Sequence, residues 1–158
     1  MCRNESKPLP ADRPAVHTPA SPDAAHATEL PLPTVIGVLH RIGTLNAQHI
    51  AAARFWATDY RIGVMGEDDP HLDRTSLGLS RRPLNGRMGS INRYRYIHEI
   101  IGNRYERILI ATMINNMPMH ELAYHTQHNP HDVAHMISVL LEFLTRQYDA
   151  MPGHLWRG

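Results

Sequence analysis

The sequence predicts an all-α fold: a small helical domain of about six helices, of which the last three form a trihelical unit, preceded by a disordered N-terminal tail. Apolar residues recur at steps of three and four along most of the chain, and residues that commonly cap helices precede these runs. No run shows the period of two that indicates a strand. The 158 residues are enough to bury one core.

The composition gives information about charge, disulfide bonds and membrane insertion. The formal net charge of +1 gives no overall attraction to nucleic acid. The single cysteine, Cys2, allows no disulfide within the chain. No apolar run reaches the roughly 18 residues of a membrane helix, and the first residues lack the apolar region of a signal peptide. We therefore expect a cytoplasmic protein with no membrane partner.

Residues 1–33 are rich in proline. The chain has 12 prolines, and seven of them lie here: Pro8, Pro10, Pro14, Pro19, Pro22, Pro31 and Pro33. Such a segment cannot bury enough apolar surface to offset the entropy lost on ordering. We predict a disordered tail; a partner-binding tail is the alternative, although no docking motif is present.

Two helices are predicted between residues 34 and 64. Thr34 can cap a short helix that ends near Gly43, and Asn46 can cap a second helix that extends to about residue 64. Trp56 lies on the apolar face of the second helix. This favours a place in the core over a role in stacking on a base.

A long loop with opposite charges at its ends is predicted for residues 65–89. Its start is acidic, whereas residues 74–98 contain no Asp or Glu and six arginines: Arg74, Arg81, Arg82, Arg87, Arg93 and Arg95. This block carries +6, which leaves −5 for the rest of a chain whose total is +1. Such segregation is typical of a contact surface for a polyanion.

Two further helices are predicted on either side of Gly102-Asn103. Ser90 would cap the first, which extends to Ile100 and turns four side chains inward: Ile91, Tyr94, Ile97 and Ile100. The second, from Arg104 to about residue 116, is apolar on nearly all sides, which is typical of a helix in the middle of a bundle. We interpret it as the first helix of the trihelical unit, which belongs to a region predicted for residues 90–150; residues 151–158 would be a C-terminal tail.

Residues 118–148 carry the most specific pattern. Pro118 suits the start of a helix, and Asn129 followed by Pro130 is typical of the N-cap and first position of the next helix. Apolar residues then follow at steps of four, three and four: Val133, Ile137, Leu140 and Leu144. A short helix, a tight turn and a longer helix with a polar leading end form the plan of a helix-turn-helix.

This stretch resembles the helix-turn-helix of the sigma-factor region 4 and response-regulator type. The family pattern is matched without a gap over about 17 residues at the following positions: Glu121-Leu122-Ala123, Asn129-Pro130, Val133 and Ile137. Two positions depart, because Thr126 replaces a buried Leu and Gln127 replaces the turn Gly, which takes a positive φ. Residues 39–148 also resemble small bacterial and prophage proteins of unassigned function.

The resemblance implies which residues would contact DNA. The leading end of the second helix would face the bases with His131, Asp132, His135 and Ser138. None of them is Arg or Lys, so the bidentate contact to guanine is absent. Residues 103–150 carry three arginines against five carboxylates, and this net charge of −2 repels phosphates.

The Arg block can supply the missing attraction. A flexible basic arm beside the reading helix would follow a groove, and arginines on the next helix would hold phosphates. The residues predicted for this role are Arg81, Arg82, Arg87, Arg93 and Arg95. The alternative is a solvated loop, or arginines paired with the acidic start of the same loop.

Histidines are frequent between His120 and His135. His131 and His135 share one helix face, but no Cys and no third ligand of fixed spacing accompanies them, so neither a metal nor another cofactor is predicted. Protonation near pH 6 would add positive charge and strengthen DNA binding. No catalytic motif is visible, and we do not expect an enzyme.

The sequence thus predicts a DNA-binding helix-turn-helix protein with double-stranded DNA as its partner, a transcriptional regulator or a prophage-related DNA-binding protein. The alternative is a non-enzymatic protein–protein interaction module that keeps the scaffold without binding DNA. It would be a helical adaptor for polymerase or another protein, or a homodimer whose seam lies on the last helix: Val139, Leu141, Phe143 and Tyr148. The polarity of residues 131–138 favours the alternative, and the Arg block favours DNA.

Overall fold

Helices account for most of residues 31–69 and 86–155, which are the residues that this computed structural model describes. These two ranges contain five α-helices: α1 (Thr34–Arg41), α2 (Ala47–Asp59), α3 (Arg87–Leu109), α4 (Met119–Thr126) and α5 (Pro130–Asp149). A π-helical turn extends α2 over Tyr60–Val64, another extends α3 over Ile110–Ile114, and a 3-10 turn covers Gly153–Leu155. Neither described range contains a strand, which confirms the all-α class.

The chain joins the helical unit earlier than predicted. Leu32 packs against the core, although the predicted tail extends to residue 33; residues 1–30 lie outside the described ranges. Thr34 is the first residue of α1 and not its cap, so that prediction is wrong. Pro33 holds the N-cap position, and the backbone N–H of Thr34 donates to the Asn116 side chain at 2.8 Å instead.

The predicted cap of α2 is confirmed. The Asn46 side chain accepts from the His49 backbone N–H at 2.9 Å, and His49 Nδ1 accepts in return from the Asn46 N–H at 3.2 Å. Because Nδ1 is an acceptor, Nε2 carries the proton and donates to Glu142 on α5 at 2.8 Å. Trp56 is fully buried, as expected of a core residue.

A glycine sets the closest approach between the extension of α2 and the start of α3. A Cβ atom on Gly63 would lie 2.9 Å from the backbone nitrogen of Ile91, nearer than side chains approach in folded proteins. The two helical segments are therefore in backbone contact at this point.

The start of α3 differs from the prediction. The helix begins at Arg87, with Gly86 as the N-cap, so the loop predicted for residues 65–89 ends earlier. Asp69 accepts from the Gly86 backbone N–H at 2.8 Å. Ser90, the predicted cap, is instead buried inside the helix.

The break predicted at Gly102-Asn103 is confirmed as a kink, so the predicted third and fourth helices are two halves of α3. Gly102 has φ 71° and ψ 171°, a conformation that is essentially restricted to glycine. The kink brings Tyr94 and His98 next to the buried carboxylate of Glu106. The Tyr94 hydroxyl donates to this carboxylate, and Nδ1 of His98 lies 2.9 Å from it. In a straight helix, twelve residues would separate Tyr94 from Glu106 by about 18 Å.

The core is built around α5. The predicted apolar stripe of α5 is buried, and α5 packs most extensively against α2. The stripe consists of Val133, Ile137, Leu140 and Leu144. Ile100 was expected to face inward, and that prediction is wrong, because the residue is 39% exposed. Met151 and Leu155 are buried, so the predicted C-terminal tail contributes two side chains to the core.

Candidate nucleic-acid interface and cationic cleft

The turn between α4 and α5 has the local geometry that the sequence predicts. Gln127 takes the left-handed conformation, with φ 58° and ψ 33°, in place of a glycine. Asn129 caps α5 by accepting from the Asp132 backbone N–H at 2.8 Å, and Pro130 is the first helical residue. These contacts fix the direction in which the leading end of α5 projects.

The residues predicted to face bases differ in accessibility. The His131 side chain is 94% exposed, and His135 is also exposed. Asp132 is exposed, but its carboxylate accepts from the Asn129 side-chain amide at 2.8 Å and therefore completes the cap of α5. Ser138 is half-buried. The histidines are thus the members of this set that project furthest from the helix.

Arg93 has a role inside the fold. Its guanidinium forms a bidentate pair with Asp59, at 2.8 to 3.1 Å, and donates to the Leu155 carbonyl at 3.2 Å. The Arg93 and Asp59 side chains are only 13% and 4% exposed. Burial raises the pKa of Asp59 above its usual value, and the hydrogen bond and charge of Arg93 oppose that shift.

The expected position of Arg93 beside the leading end of α5 is wrong. The Arg93–Asp59 pair lies against Tyr148, whose pKa is raised by its burial and by the Asp59 charge. Tyr148 is about 27 Å along α5 from Pro130. The sequence could not reveal this, because the partner of Arg93 is 34 residues away in the chain.

Of the other arginines predicted to contact DNA, the structure describes Arg87 and Arg95. Arg81 and Arg82 lie outside the described residues. Arg87 is exposed in the first turn of α3, where its Nε lies 3.5 Å from the Gly63 carbonyl. Arg95 is exposed on the half of α3 that precedes the kink.

Two arginines that the sequence analysis left without a role do lie next to the α4–α5 turn. The second half of α3 and the region from Asn115 to His128 enclose an open cleft of about 730 Å³. Four basic side chains line this cationic cleft: Arg104, Arg107, His125 and His128. Their i, i+3 spacing places Arg104 and Arg107 on one face of α3, but only the kinked structure shows which surface that face meets.

The ionisable side chains that line the cleft are basic. Among residues 31–69 and 86–155, no carboxylate lines it. Glu106, between the two arginines in sequence, points to Tyr94 and His98 instead. Within the described part of the chain, neither Arg104 nor Arg107 forms an ion pair. A region whose net charge is −2 therefore contains a local surface that attracts anions.

A second opening is mostly apolar and shares Met136 of α5 with the cationic cleft. It encloses about 460 Å³ between the α3 kink and α5, and its exposed apolar side chains include Ile100, Tyr105, Val139 and Phe143. We call it the apolar groove. Two residues of the predicted dimer seam, Val139 and Phe143, lie in it, whereas Leu141 and Tyr148 are buried in the core.

Comparison of the chain with family models, curated proteins and solved structures found no match. Among the residues that the structure describes, the His-rich stretch included, no three His, Cys, Asp or Glu side chains are grouped as metal ligands. The helices within the same ranges are all too short or too polar to cross a membrane.

Proposed function

We propose that the protein binds double-stranded DNA through the leading end of α5 and the cationic cleft beside it. The observation that carries this proposal is the proximity of the two: His128 lines the cleft and precedes Pro130 by two residues, and Met136 of α5 also lines it. A helix that enters the major groove reads bases with its leading residues, while flanking cations hold phosphates.

The division of roles follows from the chemistry of each group. Arg104 and Arg107 contact phosphates, and His131 and His135 reach base edges. A histidine makes one hydrogen bond where Arg makes two to guanine, so base discrimination is modest and phosphate contacts supply most of the affinity. Together with the resemblance to sigma-factor region 4, this supports a cytoplasmic transcriptional regulator or a prophage-related DNA-binding protein.

Binding should strengthen as the pH falls towards about 6, where exposed histidines gain charge. His125 and His128 line the cleft, and His131 and His135 are exposed near the leading end of α5. Equal affinities for DNA at pH 8 and pH 6 would show that the histidines are not part of the interface.

The test is fluorescence anisotropy of a labelled random-sequence duplex at two salt concentrations. The Arg104→Gln/Arg107→Gln variant should bind about tenfold more weakly at the lower salt concentration, because two phosphate contacts are lost. The matched control is Arg41→Gln/Arg146→Gln, which removes the same charge from two exposed sites, one of them about 24 Å along α5 from Pro130. Equal affinities of the two double variants would refute the proposal.

The apolar groove favours a second candidate, a protein–protein interaction module without DNA binding. Val139 is 55% exposed beside Phe143 in a groove that no described residue fills. Light scattering tests the homodimer form: a dimeric wild type and a monomeric Val139→Lys variant would support it. A wild type that is monomeric at all concentrations and binds DNA would favour the first proposal.

A further inference from the structure

We propose that the cationic cleft binds a small amphipathic organic anion: a carboxylate or phosphate monoester carried on an aliphatic or aromatic body. The proposal stands independently of DNA binding. It rests on a combination that a phosphate backbone cannot use, namely a basic rim over an apolar floor in one cavity.

The floor is apolar. Ile108 and Leu122 are buried beneath the cleft, and Ala111 and Met136 line it while half-buried. A DNA phosphate lies at the surface of the duplex and can reach only the rim, so the floor would stay unfilled. The volume of about 730 Å³ is within the range of small-molecule sites, roughly 300 to 1,000 Å³, which are mostly apolar with a few polar groups that orient the ligand.

The rim is built to hold an anionic head group. Arg104 and Arg107 project from one helix face, and a guanidinium presents two parallel donors to a carboxylate or phosphate. His125 and His128 stand on the opposite wall, and Asn103 adds an uncharged donor. Because no carboxylate of the described residues lines the cleft, a cationic head group would find no countercharge there, and an uncharged ligand would leave the basic rim unused.

The apolar floor and the basic rim should each contribute to the affinity for the ligand, and the two contributions can be measured separately. Each methylene buried on the floor should raise affinity about fourfold, so octanoate, with two more methylenes, should bind about fifteenfold more tightly than hexanoate. The head group should matter as well, so octanol should bind at least tenfold more weakly than octanoate. Inorganic phosphate, which has no apolar body, should bind more weakly than octyl phosphate.

The experiment is isothermal titration calorimetry of the full chain with hexanoate, octanoate, octyl phosphate, octanol and inorganic phosphate. Arg104→Gln/Arg107→Gln should weaken octanoate binding at least tenfold. Arg41→Gln/Arg146→Gln should leave it unchanged. Val139→Lys, which alters the apolar groove, should also leave it unchanged. All variants change exposed side chains, and their circular dichroism spectra verify folding.

The outcomes separate the alternatives. Stronger binding of octanoate than of octyl phosphate assigns a carboxylate ligand, and the reverse order assigns a phosphate ester. Failure of both to bind overturns the proposal, as does equal binding of octanol or of inorganic phosphate. Loss of octanoate binding in Val139→Lys but not in the arginine variant also overturns it. Since no DNA is present, failure here leaves the DNA proposal standing, and the converse also holds.

Discussion

Replacing Gly102 with alanine tests whether the α3 kink is built into the backbone. Its φ of 71° and ψ of 171° lie in a region that costs other residues about 1 to 3 kcal/mol. A Cβ atom at this position would meet no other atom within 4 Å, so the cost is conformational and not steric. If the helix straightened to escape the strain, Glu106 would leave Tyr94 and His98. Either route destabilises the fold, and we expect a loss of about 2 kcal/mol.

The assay is guanidinium-induced unfolding monitored by circular dichroism. The denaturant midpoint should fall, and the slope m should stay unchanged. The matched control is Gly37→Ala in α1, where the backbone is helical and the new Cβ would meet Leu32 at an ordinary 3.9 Å. That variant should gain about 0.5 to 1 kcal/mol, because alanine loses less entropy than glycine on folding. A Gly102→Ala variant as stable as the wild type would show that the kink is not fixed by the glycine.

Two polar pairs give further predictions, each measured as a urea midpoint. Asp59→Asn should lower the free energy of unfolding by about 3 kcal/mol, because it leaves the Arg93 guanidinium buried without its countercharge. Asp59→Leu/Arg93→Met removes both charges and should therefore lower it by less. A larger loss in the double variant would contradict this reasoning. The pKa of Glu142 is lowered by its hydrogen bonds to His49 and Arg146, so its stabilising contribution is present above the usual value of 4.5 and is lost as the pH falls through the lowered pKa. Glu142→Gln should therefore be less stable than the wild type at pH 7, and the difference should vanish in acid; a constant difference would exclude this contribution.

The features that local chemistry controls could be predicted from the sequence. Asn46 and Asn129 are caps because their side chains reach backbone N–H groups three residues away. Gly102 marks the break in α3 because its conformation excludes other residues. Gln127 ends α4 in the left-handed conformation, which is common at the C-terminal end of a helix.

The features that depend on distant partners could not be predicted. Ser90 is of a residue type that commonly caps helices, but the close approach of Gly63 to Ile91 buries this turn of α3. Arg93 is indistinguishable in sequence from Arg95, yet only Arg93 meets a buried carboxylate. The cationic cleft exists because the kink turns the second half of α3 towards α4, a relation that no spacing in the sequence encodes.

The most direct measurement of the central claim is the slope of log Kd against log salt concentration for a random-sequence duplex. If Arg104 and Arg107 hold phosphates beside the leading end of α5, removing both should reduce the magnitude of the slope by about 2, since each neutralised phosphate contributes about 0.9. Arg41→Gln/Arg146→Gln should keep the wild-type slope. A slope that is the same in the wild type and in Arg104→Gln/Arg107→Gln would contradict the account.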